Sequence, residues 1–93
     1  MTNRLHTVRR QVPLDRGDDY MLAWEAVLRT VAAAGGRAWI FRGVNHEDQF
    51  MEFVEWNDDD QPSLVAHESV AAALSQLDTF GAPTLSDEWE EVP

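Results

Sequence analysis

Four residues close together in the chain, Glu52, Glu55, Trp56 and His67, are of the types that carry acid–base chemistry beside an apolar surface. They lie in "QFMEFVEWNDDDQPSLVAHES", from Gln49 to Ser69. Imidazole titrates near neutral pH, so His67 is the candidate catalytic residue, able to act as general base or ligand. The competing reading makes it a solvated residue near the first turn of a helix. Glu52 shares a strand face with Val54 and Trp56, and a carboxylate on an inward face needs a cationic partner. Arg37 or Arg42 could supply it, in which case Glu52 belongs to a salt bridge and not to a catalytic pair. Trp24, Trp56 and Tyr20 form the candidate substrate-binding set. If a pocket opens between helices and sheet, they would wall it for a flat aromatic ligand. The alternative is that these rings are core.

Other chemistry is excluded or weak. The 93 residues contain no Cys and no Lys, which removes thiolate, disulfide and Schiff-base chemistry. His6, His46 and His67 do not have metal-site spacing. His46 sits in a polar loop, and the side of the sheet that His6 takes depends on strand register. There is no glycine-rich phosphate loop and no nucleophile elbow.

The elements that must position these residues follow from periodicity. "LHTVRRQV", Leu5–Val12, alternates as a strand, with His6, Val8, Arg10 and Val12 on one side. Asp18 or Asp19 is placed to cap a helix from Tyr20, whose stripe is Met21, Trp24, Val27 or Leu28, and Val31. Gly35 and Gly36 end it. "RAWIFRGV" and "FMEFVEW" read as two strands joined by a loop of about five residues. Their cross-strand neighbours pair Arg37 and Arg42 with Glu52 and Glu55. Asp58–Asp60 and Pro62 suit a helix N-terminus. The second helix is expected over "SLVAHESVAAALSQLDTF", with Val70, Leu74 and Leu77 buried. "TLSDEWEEVP" supplies a short last strand.

The order strand, helix, strand, strand, helix, strand is that of an α+β ferredoxin-like βαββαβ fold: a four-stranded antiparallel sheet with two helices on one face. The whole of 1–93 is expected to be one domain. Its last strand lies beside its first, and this gives the charge division a reason. Residues 1–42 hold all seven Arg against four acids, whereas 43–93 hold thirteen acids and no base. Acidic "SDEWEEV" would meet Arg9 or Arg10. The net charge of −10 opposes nucleic-acid binding. No apolar run is long enough for a membrane span and no signal sequence is visible, so the expected location is cytoplasmic. Strands two and three are apolar on both faces. A second copy packed sheet to sheet would cover the side away from the helices.

The wording of Gln49–Leu74, with Glu55 and Trp56 at a strand end and Ala66 and His67 in the next helix, resembles the antibiotic-biosynthesis-monooxygenase-like (ABM) domains of the dimeric α/β barrel superfamily. The resemblance implies a homodimer whose two sheets form a barrel. It also implies a cofactor-free oxygenase, or a related enzyme, acting on a small apolar or aromatic compound. A non-catalytic dimeric module for ligand binding or assembly is the alternative. The Asn–Trp–His trio of haem-degrading relatives has no counterpart here, because Trp56 ends a strand.

Overall fold

A computed structural model describes residues 2–57 and 63–92. Its elements are β1 (Asn3–Gln11), α1 (Gly17–Ala33), β2 (Arg37–Arg42), β3 (Gln49–Asn57), α2 (Glu68–Leu77) and β4 (Pro83–Glu90). Single 3-10 turns precede each helix, at Leu14–Arg16 and Leu64–Ala66. All strand pairs are antiparallel, in the order β2-β3-β1-β4. This is the ferredoxin-like α+β arrangement, with the acidic last strand against the Arg-bearing first.

Alternation fixes which side chains face the helices. Along β3, Phe50, Glu52, Val54 and Trp56 are buried, while the residues between them are half-buried on the opposite side. Register carries that face across the sheet: Val54 opposes His6, Glu52 opposes Val8, and Phe50 opposes Arg10. His6, Val8 and Arg10 are therefore inward residues. A register shift between Arg9 and Arg10 in the pairing with β4 marks a bulge, where one strand takes an extra residue.

Helix α1 turns Tyr20, Trp24, Val27 and Val31 inward at steps of three and four. Helix α2 adds Val70, Ala73 and Leu77, and these meet Phe50, Val54 and Trp56 of the sheet in one core. Leu28 stays 38% exposed, which resolves the choice between it and Val27. The positive φ of Gly35, 89°, closes α1 in a conformation that a side chain would strain.

Two boundaries differ from the sequence reading. Helix α1 begins at Gly17, so Asp18 and Asp19 fall within its first turn and not at its cap. There they still favour the positive end of the helix dipole. Helix α2 begins only at Glu68. The Leu64–Ala66 turn and an extended His67 stand where a continuous helix from Ser63 was expected. Burial of Leu64 holds that turn against the core in place of helical hydrogen bonding. The expected caps at Asp58–Asp60 and Pro62 lie outside the described residues.

The return from α2 to β4 is tight. A Cβ on Gly81 would collide with the backbone carbonyl of Gln11. Gly81→Ala should therefore lower stability by about 1–3 kcal/mol, as overpacking against rigid backbone does. Urea unfolding of the purified variant measures this; a wild-type midpoint would refute the close approach.

Candidate functional site

The inward polar residues converge under the C-terminal end of α2. Arg10 of β1 donates from Nε to Glu52 Oε2 at 2.8 Å and from Nη2 to Glu52 Oε1 at 3.2 Å. Its Nη1 reaches Asp78 Oδ1 at 2.8 Å and the Gly81 carbonyl at 2.5 Å. The Tyr20 hydroxyl, from α1, donates a short hydrogen bond to Glu52 Oε2. Arg10 and Glu52 are each 2% exposed, so this is a buried ion pair with its donors and acceptors supplied from β1, β3, α1 and the α2–β4 connection.

The partner of Glu52 is thus Arg10, and neither Arg37 nor Arg42. Arg37 points to the other face and pairs with Glu55, Nη2 to Oε1 at 2.6 Å. Arg42 lies over the Phe50 ring at 5.4 Å. The expected contact of Arg9 or Arg10 with the acidic strand is made instead by Arg4, 3.8 Å from Glu90. Arg10 is drawn inward because it faces the helices.

The network sets the proton affinities of its members. Burial would lower the affinity of Arg10, but its hydrogen bonds to Glu52 and Asp78 outweigh this and leave its pKa raised. Burial, and then the adjoining Glu52 charge, push the Tyr20 phenol far above its ordinary range, so it remains a donor at any physiological pH.

Beside this network is a cleft of about 330 Å³ between α2 and the β1–β4 side of the sheet. Val8, Val65, Leu74 and Pro83 give it apolar walls, and Ser75 and Ser86 give it hydroxyls. His6, Arg10 and Glu52 form its sheet side. The Nδ1 of His6 is buried and has no hydrogen-bond partner among the described residues. Burial lowers the pKa of His6, opposed by the charges of Glu88 and Glu52. The cleft therefore offers a neutral imidazole with one uncommitted nitrogen, next to a carboxylate whose own bonds are filled.

Of the residues singled out in the sequence, Glu52 lines this cleft, and His67, Trp24, Trp56 and the Tyr20 ring do not. His67 is exposed, its backbone extended at the N-cap of α2, with Nδ1 3.1 Å from Ser69 Oγ. Trp24 and Trp56 are buried within the core cluster. Tyr20 also lies in the core, between Phe50 and Phe80 at ring-centroid distances of 4.8 and 5.8 Å, and joins the site only through its hydroxyl. His6 and Arg10 were the residues missed as a site. Their signal was the alternation of Leu5–Val12, which becomes decisive once β1 is known to pair with β3 residue by residue. Among the described residues no group of three or more His, Cys, Asp or Glu is placed to hold a metal ion, and no helix is long and apolar enough to cross a membrane.

The strand order and the two helices on one face define a ferredoxin-like α+β architecture. Within it, the chain has an ABM-like fold, as solved structures bear out. It superposes on a conserved protein of unknown function from Bacteroides thetaiotaomicron with a TM-score of 0.76 and 14% identity, covering 97% of each chain. A Bordetella bronchiseptica protein provisionally named as an antibiotic biosynthesis monooxygenase matches at 0.75 and 12% identity over 100% of both chains. SnoaB of Streptomyces nogalater, a cofactor-independent oxygenase, matches at 0.72 and 12% identity, over 98% of this chain and 92% of its own. No family sequence profile matches the chain, and neither does any curated protein sequence.

Two measurements probe the site. Glu52→Ala leaves Arg10 buried without its main partner and should cost about 3–5 kcal/mol in chemical denaturation, as broken buried pairs do. A loss below about 1 kcal/mol would mean that the pair is solvated. His6 should titrate below its ordinary 6.5 when followed by NMR. The unfolded chain then binds more protons than the folded one as pH falls below that value, so stability should decline through that window. A His6 titrating at or above 6.5 would contradict the burial.

Proposed function

We propose that this protein is a small ABM-like enzyme acting as a homodimer, which binds an apolar or aromatic compound in the cleft under α2 and oxygenates it without flavin or metal. The observation that carries this reading is His6 on the wall of the cleft, its buried Nδ1 without a hydrogen-bond partner among the described residues. A neutral imidazole there can take a proton from an acidic O–H of a bound ring, and the electron-rich anion so formed is the species able to react with O₂. The buried Arg10–Glu52 pair fixes the cleft floor and supplies a field that favours the imidazolium. Tyr20 is a positioning residue in this reading, while Trp24 and Trp56 belong to the core and His67 to the exposed N-cap of α2. The likeness of fold to a cofactor-independent oxygenase supports it.

The homodimer is supported by the sheet face turned away from the helices. Trp39 stacks on Phe53 at 5.5 Å, and Phe41 meets the same ring edge-on at 5.6 Å. Phe41 of β2 and Leu85 and Trp89 of β4 are 60, 54 and 55% exposed on the same surface. A contiguous apolar face of this kind is usually an interface. Sheet-to-sheet packing of two copies would bury it.

A non-catalytic module has one observation in its favour. The charged groups at the cleft satisfy one another, which leaves a single imidazole for chemistry. Oxygen uptake over a panel of hydroxylated naphthalenes separates the two. Turnover should fall by about 10²–10⁴-fold in His6→Ala, the usual worth of a general base. His6→Gln, which keeps most of the volume, should be equally slow. Full turnover in both variants would remove His6 from the chemistry, and binding without turnover by the wild type would favour the module. Sedimentation of the wild type should give twice the chain mass, and Phe53→Asp should give a folded monomer. A monomeric wild type would overturn the dimer.

A further inference from the structure

We infer that Glu88 is the positioning residue for His6: its carboxylate takes the Nε2–H of the imidazole, leaves Nδ1 as the bare acceptor, and answers the charge that appears when Nδ1 takes a proton. This deepens the reading of His6 as general base and rests on it.

Strand register puts the two side chains together. His6 stands directly opposite Glu88 in the antiparallel pairing of β1 and β4. Side chains so opposed have Cβ atoms about 4.5–5.5 Å apart, within the reach of a glutamate. Both are on the helix side of the sheet. Ser86, two residues before Glu88 on β4 and so on the same face, lines the cleft together with His6. β4 is an edge strand and Glu88 is exposed, so its carboxylate approaches the ring from the open side. Nδ1 is the buried nitrogen, which leaves Nε2 to meet it.

The other charges around His6 are already committed. Glu52, from β3, accepts from Arg10 and Tyr20. On β1 itself, Arg4 pairs with Glu90 and Arg10 with Glu52 and Asp78. From α2 and the turn before it, the cleft is met by Val65, Ala71, Leu74 and Ser75, which carry no charge. Glu88 has no hydrogen bond or ion pair among the described residues. Burial lowers the proton affinity of His6, and of the two charges that oppose burial Glu88 acts more strongly than Glu52.

The chemistry calls for such a partner. When the O–H bond of a bound ring breaks, its electron pair stays on the oxygen and the proton bonds to the Nδ1 lone pair. The imidazolium so formed is partly buried, beside a Glu52 whose acceptor positions are filled. A carboxylate on the far nitrogen holds the tautomer that keeps Nδ1 bare and steadies the cation.

The test is the titration of His6 by NMR in Glu88→Gln, with Glu90→Gln as a control that removes an equal charge from the same strand face. Glu88→Gln should lower the His6 pKa by about 0.5 pH unit, roughly a threefold loss of proton affinity, and Glu90→Gln by less than about half as much. Both residues are exposed, so each variant should keep the wild-type amide spectrum elsewhere. Salt at about 1 M should shrink the Glu88 effect, because the pair is open to solvent. On a hydroxylated naphthalene that the wild type turns over, kcat of Glu88→Gln should fall about threefold or more at constant KM. The acid limb of its pH profile should move down with the His6 pKa. An unmoved His6 pKa in Glu88→Gln, or an equal shift in Glu90→Gln, would overturn the proposal even where wild-type oxygen uptake holds. A Glu88-dependent His6 pKa in a protein that turns nothing over would retract the oxygenase reading and leave the His6–Glu88 pair standing.

Discussion

The buried pair of Arg10 and Glu52 is the constraint on which the rest of the molecule depends. Two charges removed from water incur a large desolvation penalty, and only close geometry with further hydrogen bonds offsets it. The structure meets that demand from four directions. Tyr20 ties in α1, Asp78 the end of α2, and the Gly81 carbonyl the entry to β4, while the pair itself bridges β1 and β3. An apolar core tolerates small slides of one element over another. A bidentate guanidinium does not, so this pair fixes how the helices sit on the sheet.

The cleft under α2 is a by-product of that arrangement. Arg10 holds Asp78 and Gly81 towards the sheet, and β4 leaves the helix layer at that point. Leu74 is only half-buried because the space beside it is the cleft, whereas Val70 and Leu77 of the same helix close on the core. A site floor made of mutually satisfied charges is rigid and unreactive. It leaves the neighbouring imidazole as the one group whose protonation can change near neutrality. The same logic places Tyr20 in the scaffold, since a phenol this hard to ionise donates a hydrogen bond and does little else.

The architecture was legible in the sequence because two periods, 2 and 3.6, rarely mislead in long segments. The alternation in "FMEFVEW" and the stripe through Trp24 and Val31 became β3 and α1 as read. The site was less legible. A period of 2 shows which residues share a face but not which face is inward, and His6 hung on that choice. Partner choice was also hidden: Arg37 and Arg42 are nearer to Glu52 in sequence, but Arg37 stands opposite Glu55 on the outer face and Arg42 lies over Phe50, so Arg10 of β1 is the cation that reaches Glu52. The start of α2 was misread because "LVAHES" has helical composition. Leu64 gains more from burial in a separate turn than from continuing a helix.

The strict alternation of β3 also limits how the gene can vary. Its even positions serve the core and the ion pair, and its odd positions carry the outer aromatic face. Substitutions can therefore alter one face without disturbing the other. Loss or gain of a single codon within Gln49–Asn57 cannot, because it sends Phe53 towards the helices and Glu52 towards solvent at a stroke. Length changes in descendants of this chain should accumulate in the hairpin and between the helix and strand ends, while β3 keeps a constant length through any amount of side-chain drift.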